Sequence, residues 1–392
     1  MSETRTARRF RRVAGTVVAA AALALAGAPA ASAAEPGWEL DDMSVPAAWE
    51  TTKGGGVTVA VVDSGIRVDH PALAGRAEEG PDILGEADRD APYYGKHGTA
   101  MASHVLDVAP EARVLGLRAI RDEGDPELEE WKDEVQEPED GRGDPVAGAI
   151  FAAVDFGADV ISLSLGTFDL ALFKYSSGVA AGIDYAHSKG VVVVAASGNG
   201  ADGSNDVSYP ANYAGVVTVA AAGPSGQRAD FSTVHSYVDV MAPGAGLLAA
   251  DAETGGRSEV QGTSSATALV AGVAALVKAA HPDLAPRQIE QALVETASHH
   301  QRGHDPMTGY GAVDAAAALE AAAALEPAPA LLPAAEYSGP SHFGPGPDGS
   351  VAWEHPPVAP DYIIAAAIIG GGSLAVIVGG LLLIRSGRRA GR

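Results

Sequence analysis

Three motifs place a carboxylate, an imidazole and a hydroxyl in one chain. Asp63 ends an apolar run in Val-Val-Asp-Ser-Gly-Ile, His97 is followed by Gly-Thr, and Ser264 lies in Gly-Thr-Ser-Ser-Ala. A hydroxyl becomes a nucleophile when a base takes its proton and a carboxylate orients that base. The three residue types therefore predict acyl transfer, with Ser264 as nucleophile, His97 as base and Asp63 as the partner of His97.

Ser264 opens an apolar, alanine-rich stretch that predicts a helix over residues 264–280. The first turn of a helix has unpaired N–H groups and the positive end of the helix dipole, so negative charge developing beside Ser264 would be stabilised. Two plainer interpretations stand beside this one. Ser and Thr cap many helices, and a single histidine is usually structural. The combination of the three motifs favours the catalytic interpretation.

The segments that must position these residues alternate between strand and helix patterns. Short β-branched runs predict parallel strands buried on both faces, at residues 57–62, 159–165, 191–196 and 216–221. Segments of helical composition that end at Gly or before Pro predict helices, at residues 146–156, 177–189 and 264–280. We therefore expect an α/β protein with a mostly parallel central sheet and helices on both sides. Its active site should lie beyond the carboxyl ends of the strands.

Over residues 38–320 the chain resembles the subtilisin-like serine proteases, the subtilases. The segments that match motifs of that family are residues 61–66, 97–99, 108–110, 197–199, 262–264 and 309–315. The resemblance implies a subtilisin-like three-layer fold. It also implies a serine endopeptidase that cleaves protein or peptide substrates through an acyl-enzyme.

The resemblance also implies a role for each matched residue. His97 takes the proton of Ser264 as the hydroxyl attacks the scissile carbonyl, and Asp63 orients the imidazole. Asn199, with the backbone N–H of Ser264, binds the oxyanion. Two backbone segments are expected to line the cleft and to pair with an extended substrate as an added strand: Ser164, Leu165 and Gly166, and Ala196, Ser197 and Gly198.

The chain departs from the subtilase pattern at three positions. Ala268 stands where Pro is usual, Ser265 where Met is common, and Ala100 where a second His often follows His-Gly-Thr. The three predicted catalytic residues are all retained. The segment from residue 97 to residue 110 is short, so we expect the calcium-binding loop of many subtilases to be missing and no cofactor to be required. A solvated loop is favoured over a metal site where Asp305 follows three histidines.

One backbone feature is also predicted from the family. In subtilases a Tyr-Pro or similar pair at the position of Tyr209 and Pro210 is commonly cis. A cis X-Pro bond costs only about 0.5–1 kcal/mol relative to trans, so the peptide chemistry permits it. We therefore predict a cis bond here.

The composition is that of an exported globular protein. The chain has 392 residues, of which 47% are hydrophobic and 19% charged, and its formal net charge is −24. Nucleic-acid binding needs clustered Lys and Arg, so no nucleic-acid partner is expected. The chain has no cysteine, which excludes disulfides and thiolate metal sites.

Both ends of the chain carry targeting patterns. Residues 1–33 combine arginines, an apolar run and Ala-Ser-Ala, which predicts a signal peptide cleaved after Ala33. The general secretory route is favoured, with the twin-arginine route as the alternative. Residues 362–384 form an uncharged apolar run long enough to cross a membrane. The arginines in residues 385–392 place the carboxyl terminus in the cytoplasm and the catalytic domain outside the cell membrane.

Two further segments complete the predicted organisation. Residues 121–144 are strongly acidic and predict a surface insertion in the catalytic domain, which spans residues 34–325. A solvated loop is favoured there over a calcium or partner site. Residues 326–361 are rich in Pro, Gly and Ala, as in an extended linker.

This architecture resembles the mycosins, subtilases associated with type VII secretion in actinobacteria. The resemblance implies the type VII secretion machinery as a partner, together with the membrane and a protein substrate. A second interpretation remains open, in which the protein is a structural component of a secretion complex and proteolysis is secondary.

Overall fold

The computed structural model describes residues 37–85, 88–128, 144–166, 175–299 and 302–330. The helices are α1 Trp38–Asp42, α2 Val45–Ala48, α3 Lys96–Val108, α4 Pro145–Asp155, α5 Ser177–Ser188, α6 Thr263–Ala280, α7 Pro286–Glu295 and α8 Ala315–Ala323. The strands are β1 Thr58–Asp63, β2 Ala77–Asp82, β3 Arg113–Arg118, β4 Val160–Leu163, β5 Val192–Ala196, β6 Val217–Ala222, β7 Val240–Pro243, β8 Leu247–Ala250 and β9 Arg257–Val260. The predicted signal peptide, membrane helix and basic tail lie outside the described residues, as does most of the linker.

Seven strands form one parallel sheet in the order β2-β3-β1-β4-β5-β6-β7, and β8 and β9 form a separate antiparallel pair. The four strands predicted from β-branched runs, β1, β4, β5 and β6, are neighbours at its centre and are almost entirely buried. The predicted α/β class with a mostly parallel central sheet is confirmed.

Alternating side chains of the central strands pack into two separate hydrophobic cores. Val59 and Val61 of β1 belong to the core that includes α3 and α6, whereas Ala60 and Val62 belong to the core that includes α4 and α5. A strand buried on both faces must be apolar at consecutive positions, because successive side chains point to opposite faces. This explains the continuous Val and Ala runs and gives the expected three layers.

Helix α6 is the central helix of the domain. It packs against α3 and against strands β4 to β7, and its residues from Ser265 to Lys278 are all buried. Among the described residues it is the one helix that is long and apolar enough to cross a membrane, and 83% of it is buried inside the domain. The burial of its Ala, Val and Leu side chains fixes its axis. Its first turn is thereby held at the edge of the sheet where the parallel strands end.

A buried carboxylate lies near the start of the acidic segment. Asp125 is only 6% exposed and pairs with the guanidinium groups of Arg118 and Arg121, each at 3.0 Å. A buried carboxylate is tolerated when cations and hydrogen bonds compensate its charge. The charge run concealed this compensation because one of the two partners, Arg118, lies in β3. Residues 129–143 of the predicted insertion lie outside the described residues, so the extent of the insertion stays a prediction.

The Tyr209–Pro210 peptide bond is cis, as the family motif predicted. The Tyr209 ring packs against the Tyr213 ring in an edge-on arrangement, with 5.2 Å between the ring centroids. This turn lies in the segment that connects the end of β5 to the start of β6.

Two partly buried carboxyl groups make stability depend on pH. Burial raises the pKa of Asp239 to about 6, although a hydrogen bond from the Thr218 N–H at 2.7 Å acts in the opposite direction. Burial, with the charge of Asp239 adding to it, raises the pKa of Glu290 to about 7. A carboxyl whose pKa is higher in the folded chain holds its proton better there. Its contribution to stability is therefore complete below the unfolded pKa of about 4.3 and is lost as the pH rises through about 7.

We expect the Glu290→Gln variant to lose less stability than the parent when the pH is raised from 5 to 8. The amide cannot ionise, so it carries no cost of burying a charge at pH 8. The measurement is the melting temperature at both pH values, made in Ser264→Ala proteins to prevent self-digestion. The control is Glu295→Gln, because Glu295 is an exposed residue of the same helix. An equal fall in melting temperature for all three proteins would contradict this prediction.

Candidate active site

The three motif residues meet at the edge of the sheet where the parallel strands end. Asp63 is the last residue of β1, His97 is the second residue of α3, and Ser264 is the second residue of α6. His97 and Ser264 line the same surface cavity. Ligand sites in parallel α/β sheets are built beyond the carboxyl ends of the strands, and this cluster has that position.

Asp63 and His97 are in direct contact. The His97 Nδ1 lies 2.8 Å from each carboxylate oxygen of Asp63, whose side chain is 0% exposed. The Oδ1 of Asp63 also accepts a hydrogen bond from the Ser64 N–H at 2.7 Å. Because the carboxylate accepts, the proton of the neutral imidazole is held on Nδ1. Nε2 is then free to accept a proton from a nucleophile.

A glycine after the histidine permits this contact. A Cβ on Gly98 would lie 2.0 Å from the Gly65 carbonyl oxygen and 3.2 Å from the Asp63 Cβ. The Gly98 N–H donates to the Ser64 Oγ at 3.1 Å. Helix α3 therefore starts directly against the end of β1, and any larger residue at position 98 would push His97 away from Asp63.

The hydroxyl of Ser264 is bonded to the neighbouring strand end rather than to His97. Its Oγ donates to the Ser164 carbonyl at 3.0 Å, and the Ser164 Oγ donates back to the Ser264 carbonyl at 2.9 Å. The structure therefore brings Asp63 and His97 into contact and places Ser264 beside them. Catalytic hydrogen bonds are often completed only when substrate binds, and rotation about the Cα–Cβ bond would redirect Oγ towards His97.

Asn199 follows β5 and is oriented by the residue before Ser264. Its Oδ1 accepts hydrogen bonds from the backbone N–H and from the hydroxyl of Thr263, both at 2.9 Å. Both bonds use the amide oxygen, so the NH2 group is the end available to a substrate. Gly262 has φ +151° and, as a glycine, leaves space beside this NH2, since a Cβ there would lie 3.4 Å from Nδ2. The arrangement suits an oxyanion donor.

The two predicted cleft segments lie at the same edge of the sheet. Ser164, Leu165 and Gly166 follow β4, while Ala196 ends β5 and Ser197 and Gly198 come next. Parts of both segments are already bonded within the domain. The Ser197 N–H donates to the Val219 carbonyl at 3.1 Å, and the Gly198 carbonyl accepts from the Thr233 N–H at 2.9 Å. Pairing of these segments with substrate stays a prediction. At Gly198 it would require the carbonyl to accept from both the Thr233 N–H and the substrate.

The motif analysis missed Asp122, a second carboxylate at the start of α3. Its carboxylate accepts from the backbone N–H of His97, with Oδ2 at 3.2 Å, and it is hydrogen bonded to the Ser64 side chain. Burial raises the pKa of Asp122, and the nearby charge of Asp63 adds to the effect. The usable signal was its place after β3, the strand beside β1. The surrounding acidic residues made it look like part of a solvated loop.

The two carboxylates control the pKa of His97. Burial acts to lower it, but water reaches 36% of the side chain, and the charge and hydrogen bond of Asp63 act in the opposite direction. The charge of Asp122 adds to that of Asp63, and the pKa of His97 is raised to about 9. The base must be neutral to accept a proton, so this environment favours activity at alkaline pH.

No group of three His, Cys, Asp or Glu side chains is arranged to hold a metal ion within the described residues. In the histidine-containing loop, the His299 Nε2 contacts the Thr308 Oγ1 at 2.9 Å, and the His304 Nε2 contacts the Val238 carbonyl at 2.8 Å. His300 lies outside the described residues. The expectation that no calcium or other cofactor is required stays a prediction.

The fold and the site together define a subtilisin-like α/β protein with a serine beside an Asp-His pair. The chain belongs to the subtilase family, whose family model matches residues 54–311. It is a serine endopeptidase of that family and is related to the mycosins.

Two known proteins and one solved structure show how similar this chain is to other subtilases. Thermitase of Thermoactinomyces vulgaris is 35% identical over 247 residues, which are 60% of this chain and 79% of thermitase. Mycosin-1 of Mycobacterium tuberculosis is 33% identical over 337 residues, which are 72% of this chain and 73% of that protein. The solved structure of the MycP3 protease from the type VII (ESX-3) secretion system superposes with a TM-score of 0.62 at 28% identity. That alignment covers 74% of this chain and 90% of the protease.

We expect kcat/KM for a peptide substrate to rise with pH and to level off near pH 9, because His97 must lose its proton. The Asp122→Asn variant should shift this rise to lower pH, since it removes a negative charge while the amide oxygen can still accept from the His97 N–H. The control is Glu123→Gln, which changes the charge of an exposed neighbour. If the Asp122→Asn curve coincides with that of the parent, Asp122 does not act on His97.

Proposed function

We propose that the protein is a membrane-anchored, extracellular serine endopeptidase associated with type VII secretion. Ser264 is its nucleophile, His97 its base and Asp63 the group that orients His97. The observation that carries this proposal is the 2.8 Å contact between the buried Asp63 and His97, whose side chain lines the same cavity as Ser264. A buried carboxylate aimed at one imidazole nitrogen leaves the other nitrogen to act on the serine.

The reaction follows from this arrangement. Ser264 Oγ leaves the Ser164 carbonyl, forms a bond to the scissile carbon and passes its proton to the His97 Nε2. The Asn199 amide and the Ser264 N–H bind the carbonyl oxygen as it becomes negative. When the C–N bond breaks, His97 returns the proton to the leaving amine. Water then repeats the sequence on the acyl-enzyme and releases the acid.

The position of Ser264 at the start of α6 adds to this stabilisation. The first N–H groups of a helix lack intrahelical partners, and the dipole of α6 places its positive end beside Oγ. Burial of the rest of α6 keeps this field fixed relative to His97. A preorganised site of this kind needs little reorientation when the oxyanion forms.

The association with secretion rests on the relatives. Mycosin-1 is similar over 72% of this chain, and the MycP3 protease is described as part of the type VII (ESX-3) secretion system. The apolar run at residues 362–384 and the arginines after it support a membrane anchor with the catalytic domain outside. In this topology the catalytic domain would meet protein substrates at the outer face of the cell membrane.

A structural role in a secretion complex is the second candidate. A solved structure similar to this chain is described as MycP1, an essential component of the type VII (ESX-1) secretion system. The two candidate functions are distinguished by replacing the parent protein with the Ser264→Ala variant at the normal expression level. A proteolytic function predicts that processing of the substrate stops, whereas a structural function predicts that secretion continues unchanged.

We expect a serine-directed phosphonate to label Ser264 alone. His97→Ala should abolish labelling, because the hydroxyl then lacks a base, while the folded structure is kept. The matched control is Ser265→Ala, which removes the adjacent hydroxyl and should leave labelling intact. The label is located by mass spectrometry of proteolytic fragments. Labelling at a different serine, or labelling that survives in His97→Ala, would contradict the assignment.

We expect protease added to intact cells to release the catalytic domain and to leave a small carboxyl-terminal fragment in the membrane. The arginines at residues 385–392 should stay protected, since the positive-inside rule places them in the cytoplasm. Antibodies to tags at residue 330 and at the carboxyl terminus report the two fragments. Loss of the terminal tag with a protected catalytic domain would show the opposite topology.

A further inference from the structure

Asn199, the residue expected to bind the oxyanion, lies between two glycines. Gly198 precedes it and Gly200 follows it, just beyond the end of β5. Glycine has the widest choice of backbone conformations, so a Gly-Asn-Gly segment has little stiffness of its own. An oxyanion donor must nevertheless lie within about 2.7–3.1 Å of the oxygen that becomes negative. Another part of the domain must therefore hold the backbone at Asn199.

Thr233, in the segment between β6 and β7, is hydrogen bonded to both glycines. Its backbone N–H donates to the Gly198 carbonyl at 2.9 Å, and its Oγ1 accepts from the Gly200 N–H at 3.2 Å. Thr233 is 1% exposed, so these bonds are shielded from water. One residue thus holds the chain directly before and directly after Asn199.

The two glycines respond differently to this contact. Gly198 has φ +108°, in the region that favours glycine, and a Cβ there would lie 2.8 Å from the Thr233 Oγ1. Close packing therefore adds to the restraint at Gly198. For a Cβ on Gly200, the nearest atom outside the adjacent residues would be the Asn205 nitrogen at 4.0 Å. Gly200 is thus restrained by its hydrogen bond to Thr233 rather than by close packing.

Thr233 is itself held by its neighbours in the chain. The Oγ of Ser232, which is buried, accepts from the Ala221 N–H of β6 at 3.0 Å. The N–H of Val234 donates to the Asn205 Oδ1 at 2.8 Å, and its carbonyl accepts from the Asn205 Nδ2 at 2.9 Å. Thr233 is therefore anchored to the central sheet through β6, and it passes that rigidity to the backbone beside Asn199.

The restraint from Thr233 differs from that of Thr263. Thr263 holds the side-chain oxygen of Asn199 and so sets the rotation of the amide group. Thr233 holds the backbone from which this side chain extends. Both are needed, because a displacement of about 1 Å in a catalytic site can cost about 100-fold in rate.

We propose that Thr233 is a positioning residue of the oxyanion site, which acts through Asn199 by holding Gly198 and Gly200. This rests on the proposed function, because it requires Asn199 to bind the oxyanion. The oxyanion forms only as the reaction proceeds, so a misplaced donor weakens binding of the transition state and leaves binding of the substrate intact. Loss of the Thr233 hydroxyl should therefore lower kcat and leave KM nearly unchanged.

The first test uses Thr233→Val, which keeps the shape of the side chain and removes the acceptor for the Gly200 N–H. For a peptide that the full-length protein cleaves in detergent, we expect kcat to fall about tenfold or more and KM to stay within about twofold. Thr233→Ser keeps the hydroxyl and should retain most of the parental kcat. The control is Thr296→Val, which removes a hydroxyl bonded to the Ala292 carbonyl at 2.7 Å, at the end of α7, and should leave kcat unchanged. An unchanged kcat in Thr233→Val, or equal losses in Thr233→Val and Thr233→Ser, would overturn the inference.

A double-mutant cycle distinguishes positioning of Asn199 from a merely structural role. Asn199→Ala should lower kcat about 100- to 1,000-fold, the range for loss of one oxyanion donor. In that background Thr233→Val should change kcat by less than about twofold, because no donor is left to misplace. A structural role would give the same further loss with or without Asn199, and that result would also overturn the inference.

The same experiments separate failure of the inference from failure of the proposed function. If a peptide library is cleaved by the parent but not by Ser264→Ala, the proposed function stands, and additive effects of Thr233 and Asn199 then refute the inference alone. If no peptide is cleaved, both fail. Each variant is accepted as folded when its melting transition is cooperative. If Thr233→Val does not fold, Thr233→Cys takes its place with the same expected outcomes, since a thiol is a weak acceptor.

Discussion

The burial of one carboxylate at the end of β1 sets the geometry of the active site. Asp63 is inaccessible to solvent, so its charge must be compensated by donors within reach, and the Ser64 N–H and the His97 Nδ1 supply them. This requirement brings the start of α3 against the end of β1, at a distance that only glycine at position 98 permits. The same contact that satisfies the buried charge also fixes the tautomer and orientation of the imidazole.

A second constraint, the burial of α6, fixes the nucleophile. The sheet and α3 enclose this helix, so its first turn cannot move without disturbing the main core. Thr263 and Ser264 then connect the helix start to the strand ends that carry Asn199 and Ser164. The positions of Asp63 and His97 are set by the need to compensate a buried charge. The positions of Ser264 and Asn199 are set by apolar packing and short-range hydrogen bonds. Catalysis requires the two sets to be held together, and the shared parallel sheet does this.

The sequence predicted the central strands, the main helices and the residues at their ends, because buried β-branched runs and glycine-bounded motifs are local patterns. It did not predict β2, β3 or β7. The residues of β2, Ala77–Asp82, are mostly polar and lie at the edge of the sheet, where no apolar run is needed. It also missed Asp122, because its bond to His97 joins residues 25 positions apart. The hydrogen bond from the Gly200 N–H to Thr233 joins residues 33 positions apart and is another such distant contact. The hydrogen bond of Ser264 to Ser164 spans 100 positions and is likewise absent from any local pattern.

The most direct test of this account is a crystal structure of the protein inactivated by a serine-directed phosphonate. The account predicts a bond from Ser264 Oγ to phosphorus, with one phosphonyl oxygen about 2.7–3.1 Å from the Asn199 Nδ2 and from the Ser264 backbone nitrogen. The His97 imidazole should remain paired with Asp63 and point Nε2 towards the phosphonate. An adduct on another residue would contradict the account. So would a phosphonyl oxygen directed away from Asn199 while the Ser264 Oγ stays on the Ser164 carbonyl.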